Sequence, residues 1–72
     1  MRARVSRLYE LARAGAVPAE ELPSNLRWQL VAELHAEGWT DAHIAQHTRM
    51  TEYTTARIRG AMNLRANGRG KG

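Results

Sequence analysis

The chain has 72 residues, a formal net charge of +4 and no cysteine. That length allows one small domain near the lower limit for folding without a covalent staple, and the lack of thiols excludes disulfides, iron–sulfur clusters and thiolate-bound zinc. No apolar run approaches the ~20 residues that cross a bilayer, and Met1-Arg2-Ala3-Arg4-Val5-Ser6-Arg7 does not have the pattern of a signal peptide, so a cytoplasmic protein with no membrane partner is expected.

Apolar residues recur at three and four rather than at two, which predicts helices throughout. Val5, Leu8 and Leu11 or Ala12 mark the apolar side of a first helix that stops near Gly15. Its charges, Arg2, Arg4, Arg7 and Arg13 against Glu10, balance at +3. The stretch 16–23 holds both prolines, Pro18 and Pro23, and reads as a connection with one short turn around Ala19 to Leu22. Ser24 or Asn25 caps a second helix with the stripe Leu26, Leu30, Val31 and Leu34, and Gly38 follows its last turn. Trp39 reads as a core anchor. Trp28 lies off the stripe, as a second core face or a partner-facing residue, and core is the expectation.

Thr40 caps a third helix with Asp41 in its first turn, and Thr51 caps a fourth with Glu52 in the same place, where the helix dipole favours negative charge. The fourth helix is expected to run to about Leu64. Roughly Thr48 to Met50 separates the two, too little chain for side-by-side packing and suited to crossed helices. Residues 65–72, rich in glycine and positive charge, read as a disordered basic tail. Residues 14–48 balance at −4 with Arg27 their one cation, and residues 49–72 at +5. An acidic middle between basic ends is the footprint of a nucleic-acid binder, or of an arginine-rich solvated surface. All basic residues but Lys71 are arginine and alanine is abundant, as G- and C-rich bacterial or phage chromosomes encode.

The stretch Asp41 to Gly60, Asp-Ala-His-Ile-Ala-Gln-His-Thr-Arg-Met-Thr-Glu-Tyr-Thr-Thr-Ala-Arg-Ile-Arg-Gly, resembles the bacterial helix-turn-helix motif. Ile44 faces the core, small Ala45 lets two helices cross closely, Met50 is the apolar turn residue, Thr51 the cap, and Ile58 packs the second helix back. Thr54-Thr55 with Arg57-Ile58 looks like the family's Thr-Val-x-Arg run. Gly38-Trp39-Thr40 is similar to the entry of LuxR-type and sigma-factor region-four domains. Three positions depart from the pattern: Arg49 where glycine usually turns the chain, Thr48 where leucine is common, and Thr55 where valine packs. A turn wider than the family's is expected. The resemblance, over Leu26 to about Gly60, implies an all-α bundle of four helices, five if the turn at Ala19 counts. It implies a single domain over 1–64 with a recognition helix at 52–64.

With Thr55, Ile58 and Met62 inward, Tyr53, Ala56, Arg57 and Gly60 form the opposite face, flanked by Glu52, Arg59 and Asn63. These are the base-reading candidates: Arg57 suits the O6 and N7 edge of guanine, and Glu52 is either a dipole partner or an acceptor from cytosine. Gly60 is either a point of close approach or a tolerated glycine. Thr40, Arg49, Thr51, Arg65, Arg69 and Lys71 are the phosphate candidates, the last two in a tail that is an arm on DNA or merely solvated. His43 and His47 lie four apart, but with no intervening glutamate and no cysteine they read as surface or DNA-facing rather than as metal ligands.

No nucleophile–base arrangement, phosphate loop or carboxylate pair is found, and a small helical chain leaves little room for a pocket, so no enzymatic activity and no cofactor are expected. The expected function is sequence-specific binding of double-stranded DNA by a bacterial or phage transcriptional regulator in the nucleoid. A homodimer on two half-sites would lengthen the site, with the first helix as dimer element or, more simply, as core cover. The rivals are an architectural or recombination accessory factor, excisionase-like or packaging, and an interaction module for RNA polymerase, a sigma factor or another regulator.

Overall fold

The computed structural model describes residues 2–67, and of residues 2–5 only the helical backbone. Four helices, α1 (Arg2–Arg13), α2 (Ser24–Ala36), α3 (Asp41–Thr48) and α4 (Glu52–Ala61), and a 3-10 turn at Ala19–Glu21 make an all-α bundle with no strand among the described residues. None of these helices is long and apolar enough to cross a membrane.

The core is built where the apolar stripes meet. Leu30, Val31 and Leu34 of α2 are buried with Ala12, Ala19, Leu22, Ile44 and Ile58. Around them pack Leu8, Tyr9, Val17, Leu26, Trp39, Met50 and Met62. Ala12, not Leu11, is the buried member of the α1 stripe, and the Val5 side chain lies outside what is described. Helix α4 rests on α3 and α2, while α1 covers the 3-10 turn and the near side of α2.

All four helices stop in the same way. Gly15, Gly38, Arg49 and Asn63 have φ of 82°, 95°, 62° and 60°. The next residue donates back across the last turn: Ala16 N to Leu11 O (2.8 Å), Trp39 N to Leu34 O (3.1 Å), Met50 N to Ala45 O (3.0 Å), Leu64 N to Arg59 O (3.0 Å). Each left-handed residue thereby meets carbonyls that the helix leaves open. At Gly15 glycine is needed twice, because a Cβ would also lie 2.9 Å from Cε1 of His47. Arg49 takes the conformation glycine would take, so the turn is not widened: Arg49-Met50-Thr51 alone join α3 to α4. Asn63 ends α4 at Ala61, a turn short of the expected Leu64.

Thr48 and Thr55 are fully buried, yet neither hydroxyl is orphaned. Thr48 Oγ1 donates to Ile44 O (2.7 Å) and Thr55 Oγ1 to Thr51 O (3.0 Å). Returning the proton to its own helix lets threonine fill the place of a larger or branched apolar residue. The other expected caps are present, Thr40 Oγ1 accepting from His43 N (3.2 Å) and Thr51 Oγ1 from Thr54 N (3.0 Å). At α2 the cap is Pro23, whose carbonyl accepts from Leu26 N and Arg27 N, and Ser24 is already helical.

Several polar joints tie the helices together. The His47 Nε2–H donates to Arg13 O at 2.6 Å, while His43 stacks on Trp39 at 3.9 Å, so His47 is a structural joint rather than a surface group. The start of the expected free tail is also held. His35 Nε2–H donates to Arg65 O (2.5 Å), and Asn67 Nδ2 donates to His35 O (3.0 Å) and Trp39 O (2.7 Å). Residues 68–72 lie outside the described residues. Trp28 is 39% exposed, so it is not part of the core as expected.

Between α1 and α2, the Tyr9 hydroxyl donates to Glu33 Oε1 at 2.5 Å, and Arg13 pairs with both Glu33 and Glu37. Tyr9 holds Glu33 below the ordinary 4.5, with Gln29 and Arg13 adding to this against the cost of burial. Burial first, then Glu33, pushes the Tyr9 phenol above its ordinary 10.0. A depressed carboxyl lends stability above its unfolded pKa and loses it as the pH falls, whereas a raised phenol loses its share as the pH climbs beyond its unfolded pKa. The contribution of this pair to the urea midpoint is therefore expected to be level between about pH 6 and 9 and to fall on both sides. Tyr9→Phe should remove its own alkaline loss and lessen the acid one, and unchanged slopes would show that the pair does not act.

Candidate nucleic-acid interface

The period of α4 decides what it presents. Thr55 and Ile58 are buried and Met62 packs on the core, which leaves Tyr53, Arg57 and Gly60 exposed on the far side with Ala56 partly covered. Tyr53 is 73% exposed. The Arg57 guanidinium lies over its ring, 5.9 Å from the centroid, as residues four apart on a helix can. Glu52 and Asn63 are exposed at the two ends of this face. A Cβ on Gly60 would meet nothing, so within the chain the glycine is not required by close packing.

Arg59 does not join that face. Its Nε–H reaches both oxygens of Asp41 (2.9 and 3.1 Å) and its Nη1 donates to Leu64 O (2.8 Å), with 17% and 20% of the two paired side chains exposed. The pair fixes α4 to the start of α3 and to the chain that follows. Arg59 is thus a structural arginine, and Arg57 is the one presented outward.

The phosphate candidates fall into two groups. Arg49 and Thr51 are exposed at the start of α4, Arg49 donating through Nη2 to Gly15 O at 3.3 Å. Thr40 belongs to the other end: it precedes Asp41, the partner of Arg59, and its hydroxyl oxygen accepts from His43 N, whereas the Thr51 hydroxyl both accepts from Thr54 N and donates to Thr54 Oγ1. Arg65 is exposed near His35, again away from the turn. A helix of α4's length separates these ends by about 15 Å. Arg69 and Lys71 lie outside the described residues.

Two shallow grooves beside α4 bring in residues the sequence reading passed over. One, of about 340 Å³, is lined by Glu20, Arg27, Arg49, Met50, Thr51 and Thr54. The other, of about 330 Å³, is lined by Arg27, Trp28, Thr54, Arg57, Ile58 and Ala61. The chain thus has more concave surface than its size suggested. Arg27 and Thr54 belong to both grooves, so the grooves adjoin along the α2 flank of α4 with arginines at either end and in the middle. The available signal was Arg27 itself, the one cation between Arg13 and Arg49, set in the helix that carries the main apolar stripe.

No protein-family model, curated protein or solved structure matches this chain. Among the described residues no group of three or more His, Asp or Glu side chains could hold a metal ion.

Proposed function

We propose that this chain is a small sequence-reading DNA-binding protein in which α3, the three-residue turn and α4 act as a helix-turn-helix, with α4 entering the major groove. The observation that carries this reading is the division of labour along α4. Its inward residues and Arg59 are consumed in holding the helix, while Tyr53 and Arg57 stand outward, the guanidinium over the ring. An arginine on an exposed helix face suits the paired acceptors of guanine, and exposed Arg49 beside the helix start suits a flanking phosphate. The positive balance of residues 49–72 adds the sequence-independent attraction that such binding uses.

One helix of this length reads only a few base pairs. Two copies on half-sites about 34 Å apart would supply the remaining length, and a bacterial or phage transcriptional regulator is the role such a reader fits. Selection of bound duplexes from a random library at ~150 mM salt, where non-specific attraction is already weakened, tests the reading. A defined site, two-fold symmetric if two copies bind, is the expected result. An unselective pool indicates an architectural DNA binder, and recovery of no DNA points to a protein partner; either defeats the proposal.

A further inference from the structure

Two locally unfavourable features belong to residues that line one groove, one in the turn between α3 and α4 and the other on α2. The first is Arg49, a side chain other than glycine at φ 62°. Glycine would adopt this conformation more easily, yet the position carries a positive charge that lines the groove. The second is Arg27, across the groove on α2. Its Nη2 donates to Leu22 O at 3.0 Å, but its Nε is buried without an acceptor. A buried donor left unmet costs free energy unless another state supplies the acceptor.

Thr51 and Thr54 line the same groove. The Thr51 hydroxyl donates to Thr54 Oγ1 at 3.0 Å, which leaves the Thr54 proton to donate elsewhere. Two guanidiniums and a hydroxyl donor around a shallow groove form a set of donors with one obvious complement, a tetrahedral oxyanion. Glu20 on the rim is the one opposing charge.

We propose that this groove is a seat for a single phosphate group, gripped by Arg27 from α2 and Arg49 from the turn, with Thr54 as a third donor. Where that phosphate belongs to a DNA strand, the inference rests on the DNA-binding reading and adds α2 to the interface. A free phosphate ester offers the same oxygens, and the test separates the two sources. Arg27 turns on its Leu22 tether to present its unmet N–H, and a glycine in place of Arg49, though easier for the backbone, would leave the seat with one arginine.

The test compares the full chain with Arg27→Gln and Arg49→Gly. The second variant suits the turn better than the parent does, so its folding is not in question. With duplex DNA of random sequence, each variant should lower the slope of log affinity against log salt by about one. That corresponds to about fivefold weaker binding at ~150 mM salt, to the same degree for every sequence. Glu20→Gln should strengthen binding. Separately, inorganic phosphate should shift the amide resonances of Thr51 and Thr54 saturably in the parent and not in Arg27→Gln. If DNA does not bind but these phosphate shifts persist and depend on Arg27, the seat stands with a free phosphate ester as ligand and the DNA reading falls. If DNA binds with an unchanged slope in both folded variants, the seat falls and the DNA reading stands. Failure of both ligands defeats both.

Discussion

Leu30→Ala is expected to lower the unfolding free energy by about 3 kcal/mol, within the range for a fully buried leucine. Leu30 has no exposed surface and sits on the helix that meets α1, α3 and α4. A domain of this size has roughly 4–11 kcal/mol in total, so a loss of that order reaches a large part of the margin. The midpoint of a thermal melt followed by circular dichroism should fall by about 12–24 °C. Trp28→Ala, two residues earlier on the same helix, should cost less than ~1 kcal/mol because its ring is outside the core. Equal losses at the two positions would contradict the assignment of α2's buried side.

The elements were legible because their boundaries are chemical. Threonine before an acidic residue, glycine after an apolar stripe and two prolines in a short connection each mark an end by a local mechanism, and the caps at Thr40 and Thr51 and the stops at Gly15 and Gly38 follow from it. The boundary of α4 did not follow, since Leu64 continues the apolar period and asparagine reveals its left-handed conformation only in place. Trp28 failed for a related reason. Its size favours burial, but its position is set by the Leu30-Val31-Leu34 stripe, and the ring is carried off that stripe to the edge of α4.

The outward face of α4 was legible from period alone. What period cannot supply is the partner of a side chain, because partners come from other elements. Arg59 is claimed by Asp41, eighteen residues earlier. The Thr51 hydroxyl is consumed by Thr54, and His47 is drawn to the end of α1. Arg27 stands out in sequence as a lone cation, but nothing near it suggests that α2 would bring it to the turn that holds Arg49. The lesson is that the direction of a side chain is a local property and its availability is not.

Arg57 and Arg59, two residues apart, should therefore behave in opposite ways when replaced by alanine. Arg57 is exposed with its guanidinium over the ring of Tyr53, and exposed substitutions of this kind usually change stability by less than ~0.5 kcal/mol. In the groove-reading proposal its loss removes a paired contact to guanine, so discrimination at that base pair should fall by roughly 5- to 150-fold, equivalent to about 1–3 kcal/mol. Arg59→Ala leaves Asp41 without its counter-charge and frees Leu64 O, in surroundings only partly open to water. Breaking a partly buried pair of this geometry should cost about 2 kcal/mol of stability, and any loss of DNA binding should track the loss of folded protein. Melting curves and binding to the selected site, measured on both variants at a temperature where each is folded, separate the two roles. If Arg57→Ala leaves base preference intact, or Arg59→Ala abolishes it while the chain remains folded, the outward and inward assignments on α4 are reversed and the proposed reading face is wrong.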